Sequence, residues 1–244
     1  MEVTLFAEKI FQVGALPITN TLLTTWLTMV VVLTLAYVCV RKVTLVPNFA
    51  QSAAEVVVET IYNLAESLGG EERAKRFFPI AATFFIYIIT ANYLGLLPGF
   101  STVGFFEYHD SEKVLVPFFR SINSDLNVTL ALALISVGVT HFYSITTSGI
   151  FGYLKRYFSL NPVLLFVGLL ELVAEITKVL SLSFRLFGNI FAGEALLLTI
   201  SSLFAFILPL PFMFLEIIVG FVQATIFMML TLVFMIILTE KTGH

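Results

Sequence analysis

Long apolar stretches without charges alternate with short polar segments along this chain. One such stretch lies between Lys9 and Arg41, and others follow Arg76 and Asp125. Beyond Pro162 the chain stays apolar almost to Thr239. A membrane-crossing helix needs about 20 mostly apolar residues, because the hydrocarbon core is about 30 Å thick. The pattern therefore predicts five spans, the last two forming a long tilted helical hairpin: 19–40, 77–97, 126–147, 163–204 and 209–238.

A different pattern separates the first two predicted spans. Between residues 50 and 68, polar and apolar side chains occupy two stripes at helical spacing. The polar stripe holds Glu55, Glu59, Asn63 and Glu66, and the apolar stripe holds Val57, Val58, Ile61, Leu64 and Leu68. This amphipathic helix is expected to lie on the membrane surface or against a partner, not to cross the bilayer.

Composition agrees with a membrane protein. The 244 residues are 59% hydrophobic and 12% charged, whereas soluble domains carry roughly 25% charged residues. We therefore expect an all-α membrane protein with one integral domain over residues 1–244. The net charge of −3 argues against nucleic-acid binding. The single cysteine, Cys39, excludes an intrachain disulfide.

Lys and Arg positions predict the orientation, because cytoplasmic loops are enriched in both. Eight of these residues fall on one predicted side: Arg41, Lys42, Arg73, Lys75, Arg76, Lys155, Arg156 and Lys241. Three fall on the other: Lys9, Lys113 and Arg120. This places the N-terminus outside and the C-terminus in the cytoplasm, as an odd number of spans also requires. The acidic start, with Glu2 and Glu8, favours a retained first span over a cleaved signal.

Ionisable side chains interrupt the predicted hairpin. A charge at mid-bilayer costs about 2.5–3.5 kcal/mol on insertion scales, so each such group is a functional candidate. Arg185 and Glu194 are nine residues apart and point to opposite sides of a helix. Since no acidic residue lies one turn from Arg185, its carboxylate partner is expected on another helix or another subunit.

Glu171, Glu175 and Lys178 allow two interpretations. Their spacing permits local ion pairs near the cytoplasmic surface, and it also suits the lining of an aqueous path. His141, inside the third span, is expected to be a packed or interfacial histidine.

An antiparallel hairpin would place polar groups of its two helices at matching levels. One register brings Arg185 level with Gln223 and Glu194 level with Glu216. It implies a turn near 204–205, slightly before the PLP sequence at 209–211.

Three motifs resemble subunit a of F-type ATP synthases. They are SLSFRLFGNIFAGE at 181–194, LNVTLALAL at 126–134 and FVQATIFMMLT at 221–231. The order of spans is also similar, including the surface helix before the second span. The resemblance covers essentially the whole chain.

The resemblance implies a role for each matching polar position. Arg185 corresponds to the stator arginine that faces a moving carboxylate on the c-subunit ring and separates two proton half-channels. Residues matching the proton path are Asn189, Glu194, Glu216 and Gln223. Further polar groups on the cytoplasmic side or at the start of the third span are Glu171, Lys178, Ser181, Asp125 and Asn127.

The resemblance also implies the partners: the c-ring, peripheral-stalk b subunits, other ATP synthase subunits and lipid. We expect a multi-pass protein of a bacterial plasma membrane that is not an enzyme by itself. The nucleotide motif GxxxxGK[ST] and any metal-ligand cluster are absent from the sequence, so no cofactor or metal is expected. Two alternatives remain open, a secondary solute transporter and a structural membrane scaffold.

Overall fold

The computed structural model describes residues 7–13, 16–41, 44, 47–109, 112–158, 161–203 and 207–240. Six helices make up most of this part: α1 Asn20–Val40, α2 Phe49–Gly69, α3 Glu71–Gly95, α4 Leu126–Tyr157, α5 Pro162–Leu203 and α6 Pro209–Thr239. Glu2, Lys42, residues 204–205 and Lys241, on which the sequence predictions also drew, lie outside the described residues.

The predicted all-α class holds for the bulk of the chain, with two short β-hairpins added in its polar segments. β1 Lys9–Val13 pairs antiparallel with β2 Leu16–Thr19 before α1. β3 Gly104–His109 pairs antiparallel with β4 Glu112–Pro117 between α3 and α4. Strands this short carry too few residues for their alternation to stand out in the sequence.

Four helices of the described part are long and apolar enough to cross a membrane: α1, α3, α4 and α6. α5 lies outside this set and carries five charged residues, Glu171, Glu175, Lys178, Arg185 and Glu194. Its 42 residues extend about 63 Å at 1.5 Å per residue. That is about twice the hydrocarbon thickness, so α5 would have to tilt strongly or extend beyond a bilayer.

The core forms around α3, which contacts α1, α2 and α6. Its alanines Ala74, Ala81 and Ala91 are completely buried, and small side chains let helix backbones approach closely in membrane proteins. Phe77 and Ile88 fill the space between them. The opposing buried residues of α6 are larger: Phe227, Met228, Leu232 and Met235.

Hydroxyl and amide groups connect the helices inside this core. The Asn92 amide donates to the Gly220 carbonyl at 3.1 Å. Ser136 and Thr231 share a hydrogen bond of 2.7 Å, and Ser144 donates to the Leu238 carbonyl at 2.9 Å. Such bonds contribute about 0.6 kcal/mol each in membrane proteins, so they orient α3 and α4 against α6 more than they stabilise them.

α4 is broken at Gly149. This residue has φ 72° and ψ 160°, a backbone conformation outside the helical region that is open almost only to glycine. The predicted span 126–147 therefore corresponds to the part of α4 before the break, and a second short helix follows it. Lys155 and Arg156 lie in the last turn of this second part, where cations favour the helix dipole.

α2 is the predicted amphipathic helix, with bounds within one residue of the predicted ones. Ile61 and Ala65 are buried in the core shared with α3, whereas Glu55 and Glu59 are exposed. Gly70, with φ 77°, separates α2 from α3.

Candidate functional site

Arg185 lies on an exposed face of α5. Ser181 and Asn189, one turn before and after it, are also exposed, whereas Ser183 and Ile190 on the opposite face are buried. The guanidinium donates to the Ser181 hydroxyl at 3.3 Å. Within the described part of the chain it forms no salt bridge with a carboxylate. The structure thus presents Arg185 on an open surface.

The neighbouring exposed side of α5 is apolar. Val173, Ile176, Leu180 and Phe184 are each 45–64% exposed along the same helix. An exposed apolar face of this length beside one cation suits contact with lipid or with another apolar chain. A partner that covers both sides of α5 would meet the guanidinium.

An amide pair joins α5 to α6 one turn beyond Arg185. The Asn189 side chain donates to the Gln223 side-chain oxygen at 2.8 Å. Gln223 is buried, with 3% of its surface exposed. The sequence register placed Gln223 level with Arg185. In the structure Gln223 is hydrogen-bonded to Asn189, which lies one turn beyond Arg185.

Two carboxyl groups meet farther along the same pair of helices. The Glu216 carboxyl of α6 packs against Gly193, so closely that a Cβ at this position would collide with it. Glu194 follows Gly193, and its charge acts on Glu216. Glu194 Oε2 and Glu216 Oε1 are buried without a hydrogen-bond partner in the described part of the chain. Since buried polar atoms are normally satisfied by protein or water, water is the expected partner of both.

A cavity of about 300 Å³ lies beside this carboxyl pair. It is large enough for several water molecules, which require polar partners in addition to space. Its polar lining comes from Asn92, Thr102, Ser121, Glu194, Ser201 and Glu216. The loop after α3, the start of α6 and the α5 residues Ile190, Leu197 and Leu198 form its apolar wall. The two carboxyl groups therefore face a space that water can fill.

Arg120 and the short helical turn Ile122–Ser124 extend the polar region toward α1. Arg120 is 6% exposed, and its Nε donates to the Ser124 hydroxyl at 3.3 Å. Ser124 and Arg120 both lie within reach of Glu194. The Arg120 backbone N–H donates to the Thr24 hydroxyl of α1 at 3.2 Å. Sequence reasoning had treated Arg120 as a loop charge, and nothing in the local pattern indicates that it folds inward.

Asn92 and Asn123 are further polar residues that sequence reasoning missed. The Asn123 amide donates to the Asn92 side-chain oxygen at 2.7 Å, and both residues are buried. Asn92 stands alone among apolar residues near the end of α3, which is a signal the sequence does contain. Asn123 lies in a loop and carries no such signal.

Asp125 caps α4. Its carboxylate accepts the backbone N–H of Asn127 at 2.9 Å, which satisfies a donor at the start of the helix. Asp125 is buried and Asn127 is exposed. The structure thus gives this pair a capping geometry.

Charged groups of α4 and α5 meet at the other end of the bundle. Arg156 donates two hydrogen bonds to Glu171, at 2.9 and 3.2 Å. Lys178 donates to Glu175 at 2.7 Å. Glu175 and Lys178 therefore form the local pair that their spacing permits, while Glu171 pairs with a residue of another helix. Lys178 also lies 4.8 Å from the ring centre of Phe234 in α6.

The described residues contain no cluster of His, Cys, Asp or Glu that could hold a metal ion. The four other charged residues of α5 lie in the two regions just described, Glu194 in the carboxyl pair beside the cavity and Glu171, Glu175 and Lys178 in the charged cluster of α4 and α5. Arg185 lies between these regions along α5. Its exposed face separates it from the carboxyl pair, since Glu194 points to the opposite side of the helix.

Comparison with known proteins gives a consistent result. The family model described as "ATP synthase A chain" matches residues 22–236. The ATP synthase subunit a of Moorella thermoacetica is 30% identical over 93% of both chains. ATP synthase subunit a 1 of Hahella chejuensis is 35% identical, covering 91% of this chain and 85% of its own. The subunit a of Syntrophobacter fumaroxidans is 36% identical over 86% and 80%, respectively.

Proposed function

The chain belongs to the ATP synthase subunit a family, and we propose that it is the stator subunit that carries protons past a rotating ring of c subunits. In this role it catalyses no reaction by itself. It couples proton flow to rotation, and ATP is made on other subunits of the complex.

The exposed Arg185 is the observation that carries this proposal. An arginine side chain stays protonated in proteins, so it holds a permanent charge and is a poor proton carrier. A ring carboxylate that loses its proton at this surface would be stabilised beside the guanidinium. A permanent cation also repels protons that would otherwise pass from one half-channel directly to the other.

We assign the outer half-channel to the cavity beside Glu194 and Glu216. Carboxyl groups in contact with water exchange protons readily, and water is the expected partner of the unsatisfied oxygen of each carboxyl group. Arg120 and Ser124 would hold Glu194 in place on the side of α1. Asn189 and Gln223 continue the polar path along the interface of α5 and α6 toward Arg185.

We assign the inner half-channel to the side where Glu171, Lys178 and Ser181 lie. Lys178 and Ser181 precede Arg185 by two turns and one turn, respectively, on a similar face of α5. Glu171 marks the cytoplasmic end of this row. Asp125 and Asn127, at the opposite end of α4, belong to the outer side in this arrangement.

The proposed topology has five spans, α1, α3, α4, α5 and α6, in a bacterial plasma membrane. The N-terminus is outside and the C-terminus is cytoplasmic, with α2 on the cytoplasmic surface. The partners are the c-ring on the face of Arg185, peripheral-stalk b subunits and the remaining subunits of the complex. Each proton that crosses a potential of 100 mV releases about 2.3 kcal/mol, so several must pass for each ATP.

Replacement of Arg185 tests the proposal. Complexes that carry Arg185→Ala, reconstituted in vesicles, are expected to lose proton-driven ATP synthesis and to leak protons, because the barrier between the half-channels is removed. Arg185→Lys keeps the charge but not the planar guanidinium, and it should leave at most a small residual rate. Arg41→Ala, at the end of α1, is the control for loss of a surface arginine.

Assembly is measured in the same preparations. Normal ATP synthesis in fully assembled Arg185→Ala complexes would contradict the proposal. A structural scaffold predicts defects in assembly alone. A solute transporter predicts that Arg185→Ala leaves ATP synthesis intact while uptake of a solute changes.

A further inference from the structure

His141 contacts two polar groups, one through each ring nitrogen. Its Nε2 lies 3.5 Å from Oε2 of Glu175 in α5. Its Nδ1 lies 3.1 Å from the hydroxyl of Tyr153, which belongs to the part of α4 beyond the break at Gly149. A row of polar groups therefore runs from Tyr153 through His141 to Glu175.

The row continues to Lys178. Oε1 of Glu175 accepts a hydrogen bond from Lys178, whereas Oε2, which faces His141, is buried and has no hydrogen-bond partner in the described part of the chain. The side chains of His141 and Glu175 are 23% and 13% exposed. Tyr153 is half-buried. The row thus begins at the partly open end of α4 and ends two turns from Arg185.

A packing role would explain the burial of His141 but not this arrangement. Imidazole is the side chain that both accepts and releases a proton near neutral pH, through two distinct nitrogens. Here one nitrogen faces a carboxylate with an unsatisfied oxygen and the other faces a hydroxyl. We propose that His141, between Glu175 and Tyr153, relays protons between the inner half-channel and the cytoplasm. This inference rests on the proposed function.

The proton transfers balance without any other reactant. During ATP synthesis, protonated Glu175 gives its proton from Oε2 to Nε2 of His141 and becomes a carboxylate held by Lys178. His141 releases the proton on Nδ1 to the Tyr153 oxygen, while the Tyr153 hydroxyl proton passes to water. The imidazole then returns to the tautomer that is protonated on Nδ1, and the next transfer can begin. ATP-driven pumping runs the same steps in reverse.

Charges of both signs surround His141 in a half-buried site. Glu175 attracts a proton to the imidazole, whereas Lys178 and Arg156 oppose a lasting positive charge. Arg156 is itself paired with Glu171. Tyr157 packs against Tyr153, with ring centres 5.1 Å apart. On the α6 side the cluster meets the ring of Phe234, below Lys178.

Chemical rescue distinguishes a relay from a packing role. His141→Ala complexes are reconstituted in vesicles with the ATP-forming part outside, and ATP synthesis is driven by an imposed potential at fixed pH. A positioned proton carrier typically increases a rate roughly 100-fold or more. Since protons can also pass through water and Glu171 in parallel with His141, we expect the rate of ATP synthesis to fall only about tenfold. Imidazole in the outer medium should restore most of the rate, because it occupies the space of the lost ring.

Three variants complete the test. His141→Gln keeps polar contacts without a relay and should be slow. Tyr153→Phe keeps the ring contacts but lacks the hydroxyl, so a smaller loss is expected. Tyr143→Phe is the matched control, since Tyr143 lies on the same helix and packs on Phe77 instead. It should synthesise ATP at the normal rate.

A normal rate in His141→Ala, or a loss that imidazole does not restore, would overturn the relay. If His141→Ala fails to assemble, His141→Gln decides: a normal rate overturns the inference, and a slow rate with a normal Tyr143→Phe supports it. Arg185→Ala in the same assay tests the proposed function separately. If Arg185→Ala abolishes ATP synthesis while His141→Ala synthesises ATP at the normal rate, the relay is excluded and the proposed function stands.

Discussion

Charged side chains of α5 occupy two different surroundings. Arg185 is exposed and hydrogen-bonded only within its own helix in the described part of the chain, whereas Glu194 faces the interior beside Glu216. Nine residues of helix separate the two by about half a turn in angle. The protein therefore keeps a permanent cation and a titratable carboxyl group on opposite faces of one helix, as the proposed leak-free proton path requires.

The carboxyl pair gives a prediction at the scale of single residues. Glu194→Gln and Glu216→Gln keep the size and the hydrogen-bonding capacity of each side chain but cannot exchange a proton. In the proposed outer half-channel each should slow proton-driven ATP synthesis by roughly 100-fold, the low end for a positioned acid or base. The rates are measured in reconstituted complexes, together with assembly.

Glu59→Gln, on the exposed face of α2, is the control and should change little. Normal proton flux in both single variants and in the double variant would remove Glu194 and Glu216 from the path.

At the scale of elements, the break in α4 determines where its last turn points. Beyond Gly149, Tyr153 contacts His141 and Arg156 contacts Glu171. The contact with His141 requires the chain to leave the helix axis at Gly149, because twelve residues of straight helix would extend about 18 Å. The break thus brings a hydroxyl and a cation of α4 against the charged part of α5.

Gly149→Ala tests this role. A Cβ at Gly149 would meet no atom within 4 Å, so any cost comes from the backbone conformation and not from a clash. Side chains in this φ, ψ region cost about 1–3 kcal/mol. We expect a lower free energy of unfolding in a detergent titration and weaker contacts of Tyr153 and Arg156.

Gly152→Ala is the matched control, three residues away in regular helix. Its Cβ would lie at an ordinary 3.5 Å from Ser148, and alanine is favoured over glycine in helices by about 0.5–1 kcal/mol. Equal effects of the two substitutions would show that the break at Gly149 has no special role.

At the scale of the whole molecule, the two polar regions lie at opposite ends of the bundle. The cavity with Glu194 and Glu216 adjoins the end of α3 and the start of α6. The charged cluster adjoins the end of α4 and the first half of α5. Because α5 passes through both regions, tilt or displacement of this one helix would affect both proposed half-channels.

Cysteine labelling tests the proposed orientation. After Cys39 is replaced by serine, Lys9→Cys and Lys113→Cys should react with a membrane-impermeant maleimide added outside intact cells. Lys75→Cys and Lys155→Cys should react only after the membrane is opened, because they lie in the proposed cytoplasmic segments. Labelling of Lys9→Cys and Lys155→Cys from the same side would contradict the five-span topology.

The amino-acid sequence by itself determined the helical character of the chain and the separation of Arg185 from Glu194. Both follow from local physics: apolar runs of sufficient length favour membrane helices, and a fixed angle per residue assigns each side chain to a face. The amphipathic α2 followed for the same reason, since its polar and apolar residues alternate at helical spacing. The SLSFRLFGNIFAGE motif indicated the family.

Only the tertiary structure decided which distant groups meet. Arg120 and Asn123 lie in a loop, where no periodicity predicts a direction, and packing against α1 and α3 turns them inward toward Glu194 and Asn92. The sequence predicted a packed or interfacial histidine at His141. In the structure the break at Gly149 brings Tyr153 to one ring nitrogen, and α5 brings Glu175 to the other. Such contacts depend on helix packing and on one residue's backbone angles, and these arise from the whole fold.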